Sequence, residues 1–354
     1  MKKTKILPII LANVLLATAL CSCSTNSQTG AQNEQKETQT KELKVLAYDS
    51  FNLDKKLMKD FEKNSGYKIK LISSGGGGEL VNKLILTKNA PVGDVVFGLD
   101  NAFAGRALKE KVLEKPDLKL PDGAEKYTQK DAPELVPIDH GQVCVNADKK
   151  WFDDKKMQTP ETFEDLAKPE YKNLFAGINP TTSSAGLGFF LSSVAHFGEN
   201  NWQQYWTDLK NNGMKISKDW SGAYNVDFTA GEGKGDKPLV VSYATSPLET
   251  LKDGKTSTVA LPKTCYDQIE YAGIIKSTKN KKIAQKFIEY MLSKKVQDTL
   301  LDKMYVFPVS NEAKIDDKVM KFTPPVTDAL TLDTITLEKN RDNWLKEVTG
   351  ILTK

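Results

Sequence analysis

Three short apolar runs in this chain end alike, and that shared ending restricts the fold more than any other feature. KVLAYDSF closes on Tyr48, Asp49, Ser50 and Phe51; GDVVFGLDNA closes on Gly98, Leu99, Asp100 and Asn101; LVVSYATSP breaks into Ser242, Tyr243, Thr245 and Ser246. Each reads as a buried strand with a polar tip. Ligands of open α/β sheets bind beyond the carboxyl ends of the strands, so three such ends predict one small-molecule cleft.

Between these runs the apolar spacing switches to a helical period. Leu57 and Phe61 start a helix that runs through Lys63 and closes at Gly66, and YKIKLISS alternates as a second strand. Four glycines, Gly75 to Gly78, then precede a helix through Leu86. They have neither the Gly-Lys-Ser/Thr ending of a P-loop nor the interleaved spacing of a dinucleotide site, and read as a flexible turn. Thr159 is the expected N-cap of a short helix with Pro160 in its first turn. In NPTTSSAGLG the hydroxyls of Thr181, Thr182, Ser183 and Ser184 stand at a helix start, where free N–H groups favour an anion or a polar ligand end. Trp202, Tyr205, Trp206 and Leu209 follow a core-packing spacing. In KDWSGAY, by contrast, Trp220 and Tyr224 flank small polar residues that continue no core pattern. Thr258 to Lys276 returns through strands, Tyr305 precedes Phe307 and Pro308, and Trp344, Leu345, Val348 and Ile351 form a closing helical stripe.

A chain of 354 residues exceeds one typical core, so two lobes are expected. Its first residues have a different character. Lys2, Lys3 and Lys5 precede an apolar segment, Ile6 to Leu20, too short and interrupted for a membrane span. The segment runs into LCSC, with Leu20 three residues and Ser22 one residue before Cys23, which resembles the lipobox of bacterial lipoproteins. Residues 1–22 are therefore expected to be a signal peptide and Cys23 the lipidated residue; Cys21, directly after bulky Leu20, is the poorer candidate, and a plain cleaved leader is the alternative. Residues 23–42, with almost no large apolar side chains, form the expected tether. Losing residues 1–22 lowers the formal charge from +4 to +1, and Arg106 and Arg341 are the only arginines. Such a body carries no electrostatic footprint for nucleic acid. Cys144 and Cys265 remain after the leader. Two cysteines make neither a metal cage nor a disulfide framework; free thiols are the favoured reading and a single bridge the other.

Catalysis finds little support. The two histidines, His140 and His196, show no metal spacing, and no hydroxyl nucleophile sits in a recognisable elbow. His140 beside Asp139 is instead expected to hydrogen-bond at a hinge or cleft rim. No catalytic residue, metal or cofactor is assigned.

Seven segments, YDSF at Tyr48, GLDN at Gly98, VPIDHG at Val136, NPTTSSAGLG at Asn179, KDWSGAY at Lys218, VSYATSP at Val241 and YVFPV at Tyr305, resemble in order the thiamine-binding members of the ABC-transporter solute-binding proteins. The resemblance implies an α/β, two-lobed type II periplasmic-binding-protein fold with two crossing hinge strands, lobe 1 being 43–141 plus 265–354 and lobe 2 being 142–264. It implies cleft contacts at Tyr48, Asp49, Gly98, Leu99, Asp100, Asn101, Thr182, Ser183, Ser184, Trp220, Tyr224, Tyr243 and Tyr305. The ligand implied is thiamine, thiamine monophosphate or thiamine diphosphate, and the partners are a permease with its cytoplasmic ATPase and, through Cys23, the outer face of a membrane. The body is expected to be a monomer. Under these lobe boundaries a Cys144–Cys265 bridge would lie at the hinge. The chain departs from the family at Asn52 to Asp54 and at Leu248 and Glu249, where relatives often carry aromatics, and Tyr305 stands where tryptophan is common. A pyrimidine precursor or another cationic heterocycle stays open as ligand. Ferric iron is the alternative within the fold, although Tyr243 is followed by Ala244 and not by a second tyrosine; an extracytoplasmic hydrolase is the alternative outside it.

Overall fold

The computed structural model describes residues 41–129, 131–323, 326–332 and 334–353. The expected leader, Cys23 and most of the tether lie outside the described residues. Strand β1 begins at Lys41, two residues inside the stretch expected to be tether.

Among the described residues ten strands form one sheet with a symmetric plan. One wing is parallel: β1 (Lys41–Ala47) lies between β2 (Tyr67–Ser73) and β3 (Val95–Asp100). Two-residue β4 (Leu113–Glu114) comes next in sequence and pairs antiparallel with the end of the central strand β9 (Thr258–Ile275). The centre is antiparallel and built from two long strands, β5 (Val136–Asp148) and β9 (Thr258–Ile275). The other wing is parallel again, with β6 (Phe175–Ile178) between β7 (Lys215–Ser217) and β8 (Leu239–Tyr243). Strand β3 joins β9 and β8 joins β5, both antiparallel, while β10 (Phe307–Pro308) pairs with β5 at His140 and Asp139. Only β5 and β9 therefore run through both halves of the sheet. This is the type II periplasmic-binding-protein arrangement.

Burial follows the sequence pattern. Strands β3 and β6 are covered on both faces, which is why they read as apolar runs and not as alternation; most of β5 is buried too, although it carries Asp139, Gln142 and Asn146. Helix α1 (Lys55–Ser65) is capped by Asp54, whose carboxylate accepts from Lys56 and Leu57, and stops at Gly66 with φ 74°. Trp202 and Trp206 are wholly buried in the helix Trp202–Asn211, as their spacing predicts. The C-terminal helix, Thr334–Thr353, packs against that helix: Lys210 Nζ donates to the Ile351 carbonyl at 2.9 Å. It also reaches the other wing, where Arg341 donates to the Ala102 carbonyl at 2.7 Å. The terminal stripe thus fastens onto both sets of residues expected to form separate lobes.

Two local expectations are corrected. The short helix after Pro160 is Phe163–Leu166, and its cap is Thr162, not Thr159; Asp165 answers with a hydrogen bond to the Thr162 N–H, completing a capping box that Thr159 lies too far upstream to make. Cys144 and Cys265 are not free thiols but a disulfide, with Cα atoms 4.2 Å apart. They sit on neighbouring β5 and β9, where an irregularity in register between Val143 and Val145 brings them face to face. With 121 residues between them, the sequence left this pairing as the less favoured alternative.

Candidate functional site

The carboxyl ends of the parallel strands in both wings converge on one region. Tyr48 follows β1, the turn 179–184 follows β6, residues 218–224 follow β7, and Tyr243 ends β8. Between them lies a cavity of about 200 Å³, lined among others by Tyr48, Trp220, Tyr243, Tyr305, Glu249 and Glu270. A smaller recess of about 30 Å³ shares Tyr48, Trp220, Tyr243 and Glu270 and adds Asp49, Gly76, Gly77, Ser183, Ser184 and Asp219.

One wall is aromatic. A π-helical turn, Gly222–Asp227, follows the residues that carry Trp220, and it sets the Tyr224 ring directly behind the indole, with centroids 4.9 Å apart and planes within 11°. The indole Nε1 donates to Ser242 Oγ at 2.8 Å, Ser242 and Ser246 hydroxyls meet at 2.6 Å, and Ser246 Oγ accepts from the Tyr243 N–H at 3.1 Å. Tyr224 donates to the Ser246 carbonyl at 3.2 Å. The hydroxyls of VSYATSP thus hold the aromatic wall from behind. Burial pushes up the Tyr243 and Tyr224 phenols, keeping them neutral donors.

The facing wall is acidic. Tyr48 donates to Glu270 Oε2 at 2.9 Å, and Gln268 Nε2 donates to Oε1 at 3.1 Å. The Tyr48 ring lies on β3 at Gly98, where φ is 94° and a Cβ would come within 2.2 Å of the ring, so only glycine fits. Tyr305, at φ 57°, hydrogen-bonds Glu249, and its carbonyl accepts from the Thr245 hydroxyl of the opposite wing. Asp49 is raised by burial and then by neighbouring Asp219.

The wings also touch beside the recess. Helix α2 (Gly77–Leu86) starts against the turn 181–184: the Gly78 N–H donates to the Thr182 carbonyl at 3.2 Å, and Glu79 pairs with Lys218 at 3.1 Å. A Cβ on Gly76 would fall 2.2 Å from the Thr182 carbonyl oxygen, and one on Gly77 2.0 Å from Ser184 Oγ. The glycine run is thus no loose turn. It is a helix start stripped of side chains so that two backbones can meet.

Of the sequence candidates, Tyr48, Trp220, Tyr243 and Tyr305 line the larger cavity, and Asp49, Ser183 and Ser184 the recess. The remainder support these positions. Leu99 is wholly buried, and Asp100 accepts from Ala102 and Phe103 N–H at 2.8 Å each, closing the turn that leads into helix α3 (Ala104–Lys109), with Ser184 turned toward it. Asn101 clamps β9 through Ile269 N–H and the Asp267 carbonyl, Thr182 donates to the Lys218 carbonyl, and Ser183 caps the helix Ser184–Phe197. His140 stacks on Tyr127 with a 2.7 Å hydrogen bond, and burial lowers it to about 4, so it is a neutral packing group. Sequence reasoning missed Glu270, Glu249, Glu232 and Lys303 as lining residues. Glu270 carried a signal: a charged residue amid the apolar second half of a central strand. Among the described residues no group of three or more His, Cys, Asp or Glu side chains could hold a metal ion.

Comparison with known proteins agrees with this architecture. The thiamine-binding periplasmic protein of Escherichia coli (strain K12) is 28% identical over 317 residues, 86% of this chain and 91% of that protein. The Fe(3+)-binding periplasmic protein of Serratia marcescens is 25% identical over 70% of this chain and 73% of its own. A solved periplasmic thiamin binding protein superimposes with a TM-score of 0.76 at 26% identity, covering 88% of this chain and 96% of that one. Residues 50–298 match the family described as bacterial extracellular solute-binding protein. With a type II sheet, a cavity at its strand ends and a family match over most of its length, this chain belongs to the bacterial extracellular solute-binding proteins.

Proposed function

We propose that the protein captures thiamine in the cavity between its two sheet wings and hands it to the permease of an ABC transporter. The observation that carries this reading is the pairing of the backed Trp220 face with Glu270 across one cavity of about 200 Å³. Thiamine offers flat rings and a permanently cationic thiazolium. Aromatic faces stack on such rings and attract the cation, by about 0.5–2 kcal/mol per desolvated contact. Glu232, Glu249 and Glu270 against Lys303 give the lining an excess of negative charge. A monophosphate or diphosphate tail would lie in the recess at the helix start by Ser183 and Ser184, but Asp49 and Asp219 beside it disfavour the added anion, making unphosphorylated thiamine the stronger ligand.

In this reading residues 1–22 are removed, Cys23 carries the lipid, and the monomeric body stands off the outer face of the membrane on its tether. The lobes are 43–141 plus 265–354, and 142–264, with the C-terminal helix of the first also packing against the second. No catalytic step belongs to the site. Calorimetric titration with thiamine, its phosphates, the pyrimidine precursor and ferric iron tests the reading. Thiamine is expected to give the largest binding constant; a folded protein that binds iron and no thiamine-class ligand overturns it.

A further inference from the structure

Behind Tyr48 the cavity wall holds two carboxyl groups with no cation between them. Asp139 on β5 and Glu270 on β9 are partners in register, 0% and 3% exposed. Glu270 faces the cavity and the recess and accepts from Tyr48 and Gln268. Among the described residues neither carboxylate oxygen of Asp139 meets a hydrogen-bond donor, and the Glu270 carboxyl lies against it. The other titratable groups facing the pair are Tyr48 following β1, Asp100 from β3 and Tyr243 from β8, all neutral or acidic. Across the cavity stand Glu232, Glu249 and a single cation, Lys303. His140, next to Asp139 on β5, is turned to Tyr127.

Two carboxylates in contact and out of water cannot both be ionised, so a proton must lie between them. We propose that Asp139 and Glu270 form a proton-sharing carboxyl pair whose charge is set by the ligand, and that Glu270 is the residue by which the site selects a cation. This deepens the proposed function and rests on it. With the cavity empty and the solution mildly acidic, both groups are protonated. A cation entering beside Glu270 favours its carboxylate; the Glu270 proton passes to solvent, and Asp139 keeps its own, donated to the new carboxylate. Burial is the main cause of the upward shift of both acids, and Glu270 is raised to about 7. Because the bound state prefers the ionised form, affinity rises with pH, by at most about tenfold per unit below that value, and levels off above it.

The test is calorimetry on the full chain with thiamine chloride from pH 5.5 to 8.5, in paired buffers of different ionisation heat at each pH. Release of up to one proton per thiamine at pH 5.5, falling toward none at 8.5, is expected, with Kd dropping more than tenfold over the range. The uncharged pyrimidine alcohol, titrated in parallel, reports any proton taken up by the aminopyrimidine ring. Glu270→Gln is expected to abolish the pH dependence, and to weaken thiamine about tenfold at pH 8 while leaving the alcohol within about twofold. Should that variant not fold, Asp139→Asn, which leaves Glu270 in place but replaces the acid proton donated to it by a weaker amide donor, is expected to move the titration to higher pH. Thiamine binding with no proton release and the same pH profile in wild type and variant overturns the pair and leaves the function standing. Absence of thiamine binding at every pH overturns the function and the pair with it.

Discussion

The cavity wall formed by Trp220, Tyr224 and β8 is aromatic and held by a relay of hydroxyls, whereas the wall formed by Tyr48, β5 and β9 is carboxylic and held by burial. The first gives shape: its rings are fixed from behind by Ser242 and Ser246, so a flat ligand meets a surface already in place. The second gives charge: its acids are dry, and among the described residues Glu270 has only neutral donors and Asp139 none, so the pair gains from a cation a counter-charge that these residues do not provide. Stacking alone accepts many planar molecules, and a buried carboxyl alone accepts many cations. Selectivity comes from requiring both at once.

Preventing the walls from meeting should have the largest effect. Gly77→Val places a branched side chain where Ser184 Oγ now lies, and overpacking of this kind costs about 1–3 kcal/mol. Up to about 100-fold weaker thiamine binding is expected, with a larger radius of gyration in solution scattering; a variant as compact and as tight as wild type would mean that the walls do not have to close. Removing one wall comes next. Trp220→Ala is expected to weaken thiamine by about 2 kcal/mol, roughly 30-fold, and to cost the fold less than it costs binding, because the half-buried indole lines the cavity and packs only against the edge of the core. Trp220→Phe should recover most of the loss, and unaltered affinity in Trp220→Ala would remove that wall from the site.

The smallest effect sharpens the other wall without ligand. An acid whose folded pKa is raised contributes full stability below its ordinary pKa and loses it as pH climbs toward the folded value. Between about pH 4.5 and 7 the Asp139–Glu270 pair should therefore lower the stability of the empty protein, on the order of 1 kcal/mol for each pH unit of upward shift. Asp139→Asn, whose amide can donate to Glu270, should flatten that slope in melting curves run from pH 5 to 8. An unchanged slope would show that the two acids do not share a proton.

How much of this was legible in sequence follows the same division. The aromatic wall was, because Trp220, Tyr224 and Tyr243 lie in local motifs whose mixture of rings and small polar residues fits no core. Tyr48 and the hydroxyl turn were legible for the same reason. The acidic wall was not: Asp139 and Glu270 are 131 residues apart, and only the antiparallel register of β5 and β9 makes them neighbours. The disulfide remained the less favoured of two readings on the same grounds. GLDN looked like ligand chemistry, yet Asp100 Oδ1 is taken up by the turn before α3 and the Asn101 amide by β9. A polar strand tip marks a place where backbone must be satisfied, and whether it also faces a ligand is decided by what the tertiary fold sets opposite.

Among the described residues strands β5 and β9 are the only sheet elements common to both wings, and Cys144–Cys265 joins them near the middle of their pairing. Mechanically this ribbon is a torsion bar with a pinned waist. The covalent pin forbids the two strands from slipping past one another, so the wings cannot shear; they can approach and separate only as the ribbon twists on either side of the pin. An extracytoplasmic protein that must open and shut through many cycles gains from this a fixed axle: each closure returns the two walls to the same alignment.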